Sequence, residues 1–121
     1  MIALWVALAG GLGAVARFIV DAEVARVNRG QFPLGTLVIN VTGSLLLGLL
    51  TGAWMFHGAS GELKAVLGTG FLGGYTTFST ACVESARLAR SGRRWVSVVH
   101  AAGMVIASVL AAGVGVWAMA W

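Results

Sequence analysis

The sequence predicts an all-α membrane protein with four spanning helices, and three observations carry that prediction. The 121-residue chain is 59% hydrophobic and only 10% charged. Soluble domains carry about 25% charged residues, so too few polar side chains remain here to coat a water-soluble globule. Charge is also confined to short stretches: residues 30–61, 65–83 and 95–121 contain no Asp, Glu, Lys or Arg, and neither do the residues before Arg17. Each uncharged run meets or approaches the roughly 20 apolar residues that a helix needs to cross the hydrocarbon core. The length suits one domain, read as a single membrane unit over residues 1–121.

The first span covers about 2–20. A cleaved signal peptide is the competing reading, but the segment lacks a basic leader and Arg17 falls where the cleavage region would be. The longest linker, 21–33, closes on Phe32-Pro33; Pro33 is the only proline and suits the start of a helix. The second span covers about 34–56, and HGASGE at 57–62 is a small polar turn. The third span covers about 64–86, RSGRR at 90–94 turns the chain, and the fourth span covers about 95–120. The single cysteine, Cys82, excludes an internal disulfide and reads as a small core residue of span three. Most of the 18 glycines fall within spans, where small residues let helices approach closely.

The formal net charge of +4 raises nucleic acid as a partner. The placement of the arginines argues against it, because they flank the spans. The first and third loops and their flanks hold Arg17, Arg26, Arg29, Arg87, Arg90, Arg93 and Arg94, while the opposite side holds only Lys64. Positive charge marks the cytoplasmic side. Loops one and three are therefore expected in the cytoplasm and both termini outside, in a multi-pass protein of the cell membrane.

The stretch GTGFLGGYTTFST, residues 68–80, fits the phosphate-cradling pattern G-x-G-x-x-G through Gly68, Gly70 and Gly73. A dinucleotide site needs a strand before those glycines and an acidic residue about 20 positions on. Here they lie inside an uncharged span, and Leu88 or Arg93 stands where the acid would fall. A broken membrane helix fits better. Gly70, Gly73 and Gly74 weaken span three midway, and four hydroxyls follow at Thr76, Thr77, Ser79 and Thr80. Free backbone groups at the bilayer centre are tolerated where protein lines an ion site; a packing kink is the plainer alternative. Asn40, Glu84, His100 and Ser108 add polar groups within spans, where such groups face a bundle interior or a pathway. Singly, each is as readily an interhelical hydrogen-bond partner.

Three blocks, GGLGAVARF (10–18), FPLGTLVINVTGS (32–44) and GTGFLGGYTTFST (68–80), resemble the signature blocks of the small fluoride channels called Fluc or CrcB, in order, spacing and length. The resemblance covers nearly the whole chain. It implies an antiparallel dimer of four-helix subunits with two fluoride pores and passive fluoride efflux. It also implies a structural sodium ion at the dimer centre, held by backbone carbonyls that match Gly73 and Thr76. In the implied pathway Asn40 offers an amide, and Thr36, Ser79 and Thr80 offer hydroxyls. Phe78 presents a ring edge of positive partial charge, and Arg17 draws anions into a vestibule. Glu84 stands beside the pore, and His100 and Ser108 match positions on the fourth helix.

Two positions depart from the family pattern. Ala81 stands where a second phenylalanine is found, and Met104 replaces a Ser or Thr. Together with the biased charge, they raise the reading that the chain is one subunit of a heteromeric channel, whose inverted partner is a homologous chain. A homodimer that tolerates both variants is the rival. A non-conducting partner subunit is a third reading. A small four-span multidrug exporter would need a carboxylate within the first span, which has none. No enzyme is expected: the two histidines lie far apart, Cys82 is alone and Asp21 is the sole aspartate.

Overall fold

The computed structural model describes residues 1–30 and 32–121. All regular structure among the described residues is helical. Helix α1 is Ile2–Val27 and α2 is Leu34–His57. The third run is segmented: α3 (Gly61–Lys64), a π-helical stretch (Ala65–Leu72), α4 (Gly73–Tyr75), then α5 (Ser79–Arg90) after an interruption at residues 76–78. Helix α6 is Arg94–Met119. Helices α1, α2 and α6 are each long and apolar enough to cross a membrane.

The residue pairs that touch fix the topology. Gly48 of α2 lies against Ala112 of α6, and Gly52 against Val116 and Met119. Asn40 reaches Met104. Both numbers rise together, so α2 and α6 run parallel. Likewise Gly70 lies against Val6 and Ala9, and Gly74 against Gly10, so α1 runs parallel to the first half of the third run. Along α2 the sense reverses: Leu47 touches Gly68, Gly43 touches Thr76, and Thr36 bonds Glu84. The run from 61 to 90 therefore traverses the bundle antiparallel to α2, which lets α2 and α6 point the same way.

Glycine makes these contacts possible. A Cβ at Gly48 would stand 2.9 Å from the Ala112 carbonyl carbon, and one at Gly70 would stand 2.9 Å from the Val6 carbonyl oxygen. Backbone meets backbone, the close approach that dispersion and small residues favour where no hydrophobic driving force acts between helices. The central apolar cluster is correspondingly small: Ile39, Leu72 and Tyr75, flanked by Ala16, Val20 and Phe71. Large apolar side chains such as Leu12, Phe18 and Leu110 point outward instead, as expected for a chain whose solvent is lipid.

Three features differ from the sequence expectation. Helix α1 runs to Val27, seven residues beyond the expected span. The extension DAEVARV contains no breaker, and Arg26 bonds Glu23 one turn away at 2.8 Å. The glycines of the third run stay helical. Around Gly68 and Gly70 the turn widens to π, with the Gly73 N–H reaching the Gly68 carbonyl; the chain leaves the helix only at Thr76, whose ψ is 159°. Cys82, expected in the core, is exposed on the single chain. Gly58, at φ 70°, ends α2 in the left-handed region that favours glycine.

Gly48→Val is predicted to destabilise the protein by about 1–3 kcal/mol through overpacking against α6. Gly103→Ala, at a position with open space around it, is predicted to be neutral or slightly stabilising. Thermal unfolding of the two variants in detergent checks the contrast.

Candidate functional site

The interruption at residues 76–78 is held by one side chain from α2. Asn40 is buried, and its carboxamide pairs with the peptide groups of Thr77. Its Oδ1 accepts from the Thr77 N–H at 2.8 Å, and its Nδ2 donates to the Thr77 carbonyl at 2.7 Å. In a continuous helix the Thr77 N–H would bond the Gly73 carbonyl four residues back. Asn40 diverts it. The helical ladder therefore ends with Thr76 N–H on the Leu72 carbonyl at 2.9 Å, and the Thr76 hydroxyl backs this up on the same carbonyl at 2.9 Å.

The Thr77 side chain restarts the helix. Its Oγ1 accepts from the Thr80 N–H at 3.2 Å, the bond a capping hydroxyl makes to an orphan amide three residues on. The same hydroxyl lies 3.1 Å from Thr80 Oγ1 and 3.4 Å from Ser79 Oγ. Above the break, the Tyr75 hydroxyl meets Thr42 Oγ1 at 3.0 Å, which ties α4 to α2 two residues on from Asn40.

Two cavities flank this joint, and Thr77 lines both. One is a groove of about 280 Å³ lined by Asn40, Gly73, Thr76, Phe78 and Ser108 among others. The other, about 260 Å³, is a mouth lined by Arg17, Asp21, Thr36, Thr77 and Thr80. The polar groups thus form a track from a guanidinium, across hydroxyls, to the Asn40 amide and the Ser108 hydroxyl. Ser108 Oγ is buried without a hydrogen-bond partner, although it lines the groove. Donors without formal charge inside a low-dielectric span suit a small acceptor that must shed water.

The residues singled out in the sequence do not all meet at one place. Asn40, Gly73, Thr76, Phe78 and Ser108 meet at the groove; Arg17, Thr36 and Thr80 meet at the mouth. Ser79 lies beside Thr77 and Thr80 at the start of α5. Thr36 also donates to Glu84 Oε1, and Glu84 lines a smaller recess with Pro33 and Arg87. Phe78 is 79% exposed on the single chain. His100 is apart from both cavities. It is almost fully buried, with Nδ1 2.7 Å from Ser85 Oγ, its ring edge-on to Phe32, and Nε2 without a partner.

Four residues contribute in ways the sequence does not show. Thr77 was counted only among the hydroxyls of the third block, and its burial marks it as the joint. Asp21 shares the mouth with Arg17, and its carboxylate lies against Gly35; its spacing of one turn from Arg17 was the available signal. Ser85 carries no sequence signal and enters through His100; Met104 is a departure from the family pattern in the sequence, and only its contact with Asn40 is new.

Comparison with known proteins bears on all of this. Residues 4–116 match the family model described as CrcB-like protein, Camphor Resistance (CrcB). A protein of Cutibacterium acnes named fluoride-specific ion channel FluC 2 is 60% identical over 116 residues, covering 95% of this chain and 94% of the relative. Fluoride-specific ion channel FluC 1 of Leifsonia xyli subsp. xyli is 49% identical over 117 residues, covering 97% and 85%. FluC 2 of Mycobacterium tuberculosis is 40% identical over 118 residues, covering 96% and 90%.

Asn40→Leu is predicted to leave the Thr77 N–H and carbonyl buried and unpaired, at a cost on the order of 3 kcal/mol. Thr42→Val removes the Tyr75 contact together with the hydroxyl's bond to the Val38 carbonyl, which already has its helical partner, and should cost less, about 1 kcal/mol. Chemical or thermal unfolding in the same detergent compares them.

Proposed function

The chain belongs to the CrcB family, and on that premise we propose that it is a fluoride-selective channel mediating passive fluoride efflux across the cell membrane. The observation that carries the proposal is the Asn40–Thr77 joint, which stands between two polar cavities inside an otherwise apolar bundle. Fluoride is small and strongly hydrated, so its passage requires donors in place of water. The mouth supplies a guanidinium and hydroxyls, and the groove supplies an amide, a hydroxyl and the Phe78 ring edge. No lysine or arginine lines the groove, so no charged side chain there would trap a passing anion.

The working unit is an antiparallel dimer with two pores. The exposure of Phe78 and Ser79 on the single chain supports it, since a lipid-facing hydroxyl is costly and a second copy would cover it. A structural sodium ion at the dimer centre fits the same place. Gly73 and Thr76 line the groove, and the Thr77 N–H that would occupy the Gly73 carbonyl is bound to Asn40. Carbonyl oxygens suit a hard cation. Two from one chain would leave its shell incomplete, and the same two from a second copy would extend it. Bound there, sodium would neutralise converging carbonyl dipoles and fix the two subunits together. The charge bias supports loops one and three on the cytoplasmic side.

A second reading is favoured by a specific observation. Ala81 and Met104 line a cavity of about 310 Å³ beside Phe78, where the family pattern has a second ring. In this reading the chain is one subunit of a heteromeric channel, and an inverted homologous chain supplies the missing groups. Co-purification of a tagged copy with an untagged homologue from the same cell, in preference to an untagged copy of itself, would favour this reading over a homodimer.

Expression of the chain in a fluoride-sensitive bacterium that lacks its own fluoride exporter tests the main proposal. Growth in millimolar fluoride should be restored; continued sensitivity with the protein present in the membrane would contradict it. Arg17→Gln should lower fluoride flux severalfold at low ionic strength and less at high ionic strength, because the mouth acts through a screened field. Asp21→Asn, which removes the opposing charge, should raise it. Initial rates in vesicles at two salt concentrations measure both.

A further inference from the structure

We propose that the Met104 thioether is a displaceable acceptor, holding the second N–H of Asn40 until an anion takes it and thereby setting how tightly this chain binds fluoride in the groove. The inference rests on the channel reading and names a residue that determines affinity within it.

The Asn40 amide nitrogen carries two protons. One donates to the Thr77 carbonyl at 2.7 Å and belongs to the joint. The other is directed at Met104 Sδ, 3.4 Å away. A thioether is a weak acceptor, so this proton is held loosely. Met104 is only 6% exposed, so bulk water does not compete for it. Ser108 follows Met104 by one turn on α6, lines the same groove and has no hydrogen-bond partner at Oγ. A weakly paired donor on α2 and an unpaired one on α6 thus line one groove. A charged acceptor makes much stronger hydrogen bonds than a thioether, so the exchange of sulfur for fluoride is favourable at this point.

The exchange needs somewhere for the side chain to go. Behind Met104 lies the 310 Å³ cavity lined by Phe78, Ala81, Ser85 and Ala101, with Met104 itself in its wall. The small side chain at Ala81 keeps it open. Methionine is unbranched with several soft torsions and fits irregular space, so retreat requires a rotamer change and no backbone movement. Phe78 borders both the groove and this cavity. The two departures from the family pattern then belong together: Met104 blocks the amide, and Ala81 gives it room to withdraw.

The test uses the full chain with methyl-¹³C methionine in lipid nanodiscs. The chain has four methionines, and loss of one signal in Met104→Leu assigns the resonance. Sodium fluoride and sodium chloride are titrated separately. The Met104 methyl resonance should shift saturably with fluoride and stay fixed with chloride. Met104→Leu fills similar volume without an acceptor, so it should raise the apparent fluoride affinity of flux roughly fivefold, where a mere filler would leave it unchanged. If that variant fails to fold, Ala81→Phe serves instead; by filling the retreat space it should hold the resonance fixed and lower flux at least about tenfold. A resonance unmoved by fluoride concentrations that drive flux would overturn the displacement and leave the channel reading intact. Absence of both flux and shift in the unmodified chain would overturn both.

Discussion

The two hydrogen bonds between the Asn40 carboxamide and the peptide groups of Thr77 are the constraint on which the rest depends. Inside lipid, a backbone N–H and carbonyl released from a helix cost several kcal/mol each unless they find partners. Asn40 supplies a donor and an acceptor at the required spacing, so the third run can stop being a helix at mid-bundle without orphaned groups. Everything polar in the site follows from that stop. Thr77 is freed to cap α5, the Gly73 carbonyl loses the Thr77 N–H as its helical partner, and Phe78 is exposed on the single chain.

The same joint couples the helix pairs. Helix α2 carries Asn40 and packs on α6 through Gly48, Gly52 and Gly115, whereas α4 packs on α1 through Gly10 and Gly74. The joint and the Tyr75–Thr42 contact tie one pair to the other. Because the buried apolar core holds few residues, close backbone packing and these polar ties carry more of the specificity than side-chain burial does. That arrangement also keeps polar groups on the inside, where a pathway needs them, and leaves apolar groups for lipid.

Much of this was legible in the sequence, and the limits have physical causes. Charge gaps marked the spans because lipid excludes charge regardless of packing. The polar DAEVARV segment hid the end of α1, since its helical continuation is indifferent to whether the residues lie in lipid or water. Asn40 stood out as a polar residue in an apolar run, but its partner did not: Thr77 lies 37 positions away, and no local pattern announces a contact at that distance. The π-helical widening falls where Gly68 meets Leu47 of α2 and Gly70 meets Val6 of α1, contacts that no local pattern announces. Met104 read as a departure from a pattern; its bond to Asn40 required coordinates. His100 shows the converse, a conspicuous residue whose Nδ1 contact is a serine on α5 and which borders neither cavity.

The central claim is that a polar joint buried in an apolar bundle makes this chain a conduit for fluoride. The most direct measurement is efflux from liposomes that hold only the purified chain, followed with a fluoride-selective electrode and repeated for chloride. The account predicts rapid loss of fluoride and retention of chloride. Chloride escaping as fast as fluoride, or well-folded protein that releases neither ion even after a homologous chain from the same cell is added, would contradict it.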